Sequence, residues 1–250
     1  MTAASAASLL VRPADQRFHS QLDWLDSWHS FSFAGHHDPA WMGFGPLRVI
    51  NDDTIAPGRG FGMHPHRDME IVTVMLEGQL QHRDSMGHAA VLRAGEVQRM
   101  SAGRGVVHSE INGGDQSCRL LQIWIEPRQP GGAPAYEQKA FPLEPAADGW
   151  TLLLDPAGCD GAMAIQRTVR LWRARPRPAA VLPMPLAQGR RGWLQMIEGA
   201  LVLPAPAEAP HGWMGPGCLQ RGDGLGFSAG ALRSLQAGPD GADLLVFEFD

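Results

Sequence analysis

The chain has 250 residues, with 21 Lys plus Arg against 26 Asp plus Glu, and a formal net charge of −5. That balance gives no global pull toward nucleic acid or an anionic membrane, so neither is expected as a partner. Hydrophobic residues make up 44% of the chain, which argues against general disorder. No apolar run approaches the roughly 18 residues of a membrane-spanning helix.

The first residues, MTAASAASLLVRPADQ, have no basic start before an apolar core. No secretory signal is expected, and the expected location is the cytoplasm. Short stretches rich in Val, Ile and Leu follow at residues 47–50, 71–76, 120–125, 193–197 and 244–249. Their length and their Gly, Pro or Asp borders predict strands, and helical periodicity is scarce. With 30 glycines and 20 prolines to make turns, the chain is expected to be all-β, a sandwich or barrel. Residues 127–145 (PRQPGGAPAYEQKAFPLEP) carry Pro and Gly densely and read as a connection between two units. The expected division is 1–130 and 131–250. Proline clusters at 176–185 and 204–210 suggest loops or edge strands in the second unit.

An internal repeat supports that division. Residues 92–103 read LRAGEVQRMSAG and residues 219–230 read LQRGDGLGFSAG. Leu, Gly, an acid and Ser-Ala-Gly recur at the same spacing, as expected for two copies of one β unit. Glu77-Gly78 and Glu198-Gly199 end a strand-like run upstream of each copy. Counted from Ser-Ala-Gly, the place of His108 is taken by Leu235, and that of Glu110 by Ala237. The second copy keeps the scaffold and lacks the polar side chains.

Nine of the ten histidines lie between His19 and His108. In an extended strand, residues two apart share a face, so His64 and His66 point one way together, as do His108 and Glu110. Two such strands side by side bring three imidazoles and a carboxylate to one focus. Iron(II), manganese, nickel and copper all accept that set, with positions left open for water or substrate. A closed structural zinc site fits less well, because no thiolate is near in sequence. Glu70 and Asp68 share strand parity with His64 and His66 and stay open as rivals. A bulge near Pro65 would break the parity; a separate alternative has Glu70 anchoring a ligand imidazole rather than binding the metal.

The strings GRGFGMHPHRDMEIVTVMLEG and GEVQRMSAGRGVVHSEIN resemble the two motifs of the cupin superfamily. The match is closer to the pirin family, through HSFSFAGHHDPAWMGFGPLRVINDDTIAPG, HPHRDMEIVT, DSMG and MSAGRGVVHSE, and covers residues 12–127 densely. The resemblance implies a bicupin, two tandem jelly-roll barrels with the second degenerate. It implies His64, His66, His108 and Glu110 as ligands of one divalent transition metal, iron first, with nickel, manganese, copper or zinc open. Bacterial members of the family resemble quercetin 2,3-dioxygenases, and the mammalian relative is linked to transcriptional co-regulation. The sequence departs from the family's usual pattern at His36-His37, where an aromatic is frequent, and at His88 after DSMG.

Other features rate lower. Gly58-x-Gly60-x-Gly62 lacks the following helix that nucleotide binding needs. Arg167, Arg170, Arg173, Arg175 and Arg177 read as a solvated strand face, and Cys118 as buried. His82 and Gln122 read as barrel polar residues or supports of the ligands. Ser109 faces away from its ligand neighbours, and no Ser-His-Asp triad suggests itself. Trp28, Phe31, Phe33, Met42, Phe44, Met100 and Trp124 are candidate pocket walls, and residues 38–45 a candidate lid.

The expected function is a metal-dependent dioxygenase cleaving a flavonol with dioxygen, with Glu110 as ligand and base in turn, in a monomer. The alternative is a non-catalytic metal or redox sensor acting through a protein partner. An enzyme acting on another aromatic enol is a third reading.

Overall fold

The computed structural model describes residues 9–141, 144, 149–203 and 217–250. The proline cluster at 204–210, the lone late histidine His211 and the start of the N-terminal stretch lie outside those residues. Every run expected as a strand is one. The five runs extend to Leu47–Ile55, Glu70–Glu77, Cys118–Ile125, Arg191–Val202 and Ser234–Phe249. Helical structure among the described residues is limited to single 3-10 turns at Ala14–Gln16, Pro39–Trp41 and Cys159–Gly161. No helix is long and apolar enough to cross a membrane.

The chain divides into two units, one of Arg17–Pro142 with Asp155–Thr168, the other of Met1–Gln16, Leu143–Leu154 and Val169–Asp250. In the first unit, four strands pair in the order Gly60–His66, Val106–Ile111, Gln79–Asp84, Ala89–Arg93. Seven more pair in the order Ala135–Ala140, Glu96–Ser101, Glu70–Glu77, Cys118–Ile125, Leu47–Ile55, Leu25–His29, Phe18–Gln21. The two sheets face each other: Glu110 of the small sheet is hydrogen-bonded by Thr73 and Gln122 of the large one. One part of the interior is apolar, built from Leu25, Ile55, Met75, Leu80, Leu92, Cys118 and Leu120. Beyond it the same inward rows turn polar, because Thr73, Gln122, Asn51 and Asp53 occupy alternate positions on strands that otherwise point Met, Leu and Ile inward. Glu70–Glu77 is buried from Glu70 to Met75 on both faces, which is why it reads as an unbroken apolar run.

The Pro- and Gly-rich stretch is not all connection. Ala135–Ala140 pairs with Glu96–Ser101 along six residues and forms an edge of the large sheet. It has only one aromatic and no Val, Ile or Leu, so composition hides it.

The repeat is structural. Gly95 and Gly222 open equivalent turns with φ +86° and +87°, and Gly78 and Gly199 stand at +71° and +70°. The Gly95 N–H donates to the Met75 carbonyl at 3.1 Å, and the Gly222 N–H to the Met196 carbonyl at 3.2 Å. Leu235 and Ala237 are buried, as His108 and Glu110 are. In the second unit the interior is apolar, with Leu194, Met196, Leu225, Phe227, Leu235, Leu244 and Val246 packed together. Its sheet also takes in Leu9–Arg12, paired with Gly224–Phe227. The arginine run is neutralised locally: Arg173 makes a buried two-pronged ion pair with Asp243, and Arg170 pairs with Glu248.

Candidate metal centre

His64 and His66 lie on Gly60–His66, antiparallel to Val106–Ile111, which carries His108 and Glu110. His108 sits directly opposite His64. The three rings meet: centroids are 4.8 Å apart for His64 and His66, 4.4 Å for His64 and His108, and 4.9 Å for His66 and His108. One ligand atom from each of the three lies within 4.8 Å of the others. A second cluster meeting the same limit is His82, His108 and Glu110. The two clusters share His108, and among the described residues they contain all four expected ligands.

A bulge does occur, but not at Pro65. The register shifts between His108 and Glu110, so that Glu110 pairs with Phe61. The shift leaves both His108 and Glu110 buried, at 0% and 2% exposure. Gly60 makes it possible, since a Cβ there would lie 2.2 Å from the Glu110 carbonyl oxygen.

The donors fit a cation. Both ring nitrogens of His108 are buried without a hydrogen-bond partner, a costly state for a polar group unless something occupies them. Burial, with His64 and then His66 next in weight, pushes the pKa of His108 down to about 3. Burial and His64 push that of His66 down to about 4. Both imidazoles are therefore neutral at pH 7, the form that ligates. The Nδ1 of His64 is 2.7 Å from the Gly62 carbonyl, which accepts its proton and leaves Nε2 as the lone-pair nitrogen. Burial pushes Glu110 up to about 7, against the pull of Thr73 and Gln122. Thr73 Oγ1 donates at 3.2 Å to Oε1, and Gln122 Nε2 at 2.8 Å to Oε2. Three imidazoles and one buried carboxylate suit a divalent transition metal with open positions.

Glu70 and Asp68 are elsewhere. The Gly60–His66 strand ends before them, and Glu70 opens a strand of the other sheet, so parity does not carry across. Glu70 accepts from Ser101 Oγ at 2.8 Å, and Asp68 from the Gly131 N–H at 2.6 Å. Neither belongs to a candidate cluster. Gln122 does support Glu110 directly. His82 lies closer than expected, its ring 5.5 Å from that of His108. Its Nε2 bonds Asp84 at 3.1 Å, and Asp84 also holds His88. Tyr136 stacks on both His82 and His88. Sequence reasoning misses Thr73, Asp84 and Tyr136. A lone hydroxyl in the run IVTVML is the available sign for Thr73, whereas Tyr136 lies in the stretch that reads as linker.

Of the candidate walls, Trp124 meets His66 edge-on at 4.9 Å, and Phe33 meets Trp124 at 5.4 Å. Phe31 and Met100 are fully buried core. Trp28 instead stacks on His19. Residues 39–41 of the expected lid form a 3-10 turn capped by Asp38, and Met42 is exposed. A surface depression of ≈330 Å³ touches His66 and is otherwise lined by Pro65, Arg67, Ser85, Gly105, Val106 and Val107.

Two tandem units with an H-x-H pair facing an H-x-E pair in the first define the class, a bicupin with a degenerate second barrel. Residues 11–125 match the family model described as Pirin, and residues 152–249 that of the quercetinase C-terminal cupin domain. The chain belongs to the pirin family. It is 44% identical over 196 residues to an Escherichia coli K12 protein named quercetin 2,3-dioxygenase, covering 78% of this chain and 84% of that one. It is 38% identical over 191 residues to a pirin-like protein of Caulobacter vibrioides, covering 76% and 82%. Among solved structures, the bacterial pirin YhhW of Escherichia coli, in complex with nickel(II), superposes with a TM-score of 0.86 at 38% identity, over 97% of this chain and 99% of that one.

Proposed function

We propose that this protein is a metal-dependent dioxygenase of quercetinase type, opening the ring of a flavonol, with His64, His66, His108 and Glu110 as the ligands of its metal. The observation that carries the reading is the pair of clusters sharing His108, with Glu110 buried between Thr73 and Gln122. The names of the Escherichia coli relatives support the substrate class and the divalent metal. Iron is our choice for the native metal, from the family resemblance, with nickel next.

A divalent cation bound there would supply Lewis-acid stabilisation of an enolate oxygen and a site for reaction with dioxygen. The side chains do the rest. Glu110 takes the proton of the flavonol 3-hydroxyl on a carboxylate oxygen, as a carboxylate facing the bound hydroxyl can. Gln122 and Thr73 hold the carboxylate in place while it does so. Trp124 and Phe33 offer an apolar edge for a flat aromatic ligand beside His66.

The test is quercetin consumption with and without oxygen, on protein loaded with iron, nickel or copper. Oxygen-dependent loss of flavonol absorbance is expected with at least one metal. None with any metal contradicts the proposal. Glu110→Gln is expected to lose turnover, and a metal-loaded Glu110→Gln protein at full rate removes Glu110 as the base.

A further inference from the structure

A second group of polar side chains lies on the Phe18–Gln21 edge of the large sheet and shares no residue with the metal centre. Ser20 stands on this edge strand, partly exposed. His29 on the next strand is 2% exposed, and Asn51 on the third is 3% exposed. His29 Nδ1 is 2.8 Å from Asn51 Oδ1, and His29 Nε2 is 2.9 Å from Ser20 Oγ. The amide oxygen only accepts, so Nδ1 carries the imidazole proton and Nε2 is the acceptor. The Ser20 hydroxyl therefore donates to Nε2. His36 Nε2 lies 3.0 Å from the same Oγ and donates to it. His36 is held by stacking on Phe18 at 5.4 Å and is one of the two positions where the sequence departs from the usual family pattern.

We propose that Ser20, His29 and Asn51 form a nucleophile–base–orienter triad that hydrolyses small carboxylic esters. All three roles meet the geometric requirement of a nucleophile bonded to a base and a base bonded to an orienter. Burial also lowers the pKa of His29, which keeps the imidazole neutral and able to accept a proton at pH 7. In the reaction, Ser20 Oγ bonds to the ester carbonyl carbon while its proton passes to His29 Nε2. His29 then gives that proton to the departing alkoxide as the carbon–oxygen bond breaks. Water, deprotonated by His29, cleaves the acyl-serine to a carboxylic acid and restores the hydroxyl. His36 Nε2–H, 3.0 Å from Ser20 Oγ, is the donor on hand for the carbonyl oxygen.

The experiment uses the full chain, metal-loaded, with a fluorophosphonate and with p-nitrophenyl acetate. Labelling is read by peptide mass spectrometry of residues 18–48, which lie between Arg17 and the cleavage site after Arg48. The expected result is one phosphonyl adduct on Ser20 and a burst of p-nitrophenol approaching one equivalent per chain. Ser20→Ala is expected to abolish both. His29→Gln is expected to slow labelling by about 10²-fold or more. Asn51→Asp, which keeps an acceptor for Nδ1, is expected to label within about tenfold of the parent rate, and Asn51→Leu far more slowly. Absence of an adduct on Ser20 in the folded parent protein overturns the proposal. So does ester turnover undiminished in Ser20→Ala, which would assign it to the metal centre. Flavonol turnover does not enter either readout, so the two proposals fail separately.

Discussion

Glu110 is the expected ligand whose charge the fold opposes most. Burial holds its carboxyl up near pH 7, and hydrogen bonding, from Thr73 and then Gln122 above all, softens that effect. Removing a donor makes the ionised form costlier and leaves the carboxylate free to turn. Gln122→Leu is therefore expected to weaken metal binding by roughly 10- to 100-fold, read by competition against a coloured chelator. Asp53 offers a separate test at the same scale. Burial pushes it up to about 7, against its hydrogen bond from Ser27. With the folded pKa above the unfolded one, the native state holds the extra proton between about pH 4 and 7. Asp53 therefore costs stability increasingly as pH rises through that window, with a slope of up to roughly 1.4 kcal/mol for each step of one in pH. Asp53→Asn removes the cost, so the variant is expected to match the parent near pH 4 and exceed it at pH 8 in urea unfolding. A parent advantage at pH 8 contradicts this. The proposed histidine ligands are legible in the sequence because pairs two apart on a strand announce a shared face. Thr73 and Asp84 are not, because each acts through a side-chain contact that strand periodicity does not announce, Thr73 on Glu110 and Asp84 on His82.

At the scale of the element, the centre depends on one irregularity. Strand parity alone puts His108 and Glu110 on one face, and the structure keeps both buried, but it does so across a bulge that periodicity cannot reveal. Gly60 opposes that bulge with φ +153°, and its Cα approaches the Glu110 carbonyl too closely for a Cβ. Gly60→Ala is expected to lower the urea midpoint by an amount equivalent to about 1–3 kcal/mol and to weaken metal binding with it. A variant with unchanged midpoint and unchanged binding shows that the bulge does not position Glu110. The edge strand Ala135–Ala140 teaches the opposite lesson. Its residues are polar because one face and one edge need little apolar burial, so a reading by hydrophobic runs passes over it while the buried strands stand out.

For the whole molecule, the two copies show what duplication retains. The turn glycines and their hydrogen bonds persist in both, whereas the two ligand positions in the second are Leu235 and Ala237 inside an apolar interior. The repeat is legible because turns need particular residues at fixed places. The extent of each unit is less so, since Leu9–Arg12 lies early in the chain yet pairs with Gly224–Phe227 of the second unit. One metal ion per chain is the expected stoichiometry. Leu235→His with Ala237→Glu is expected to destabilise the fold and leave that number at one, because a buried charge without partners costs more than an apolar core gains. Two ions bound by the double variant would show that scaffold geometry alone makes a site.

X-ray absorption at the metal edge of nickel- or iron-loaded protein tests the centre most directly. Three imidazole scattering patterns, light-atom oxygen neighbours and no sulfur, falling to two imidazoles in His108→Ala, is the predicted result. A spectrum with sulfur ligands, or one that His108→Ala leaves unchanged, contradicts it.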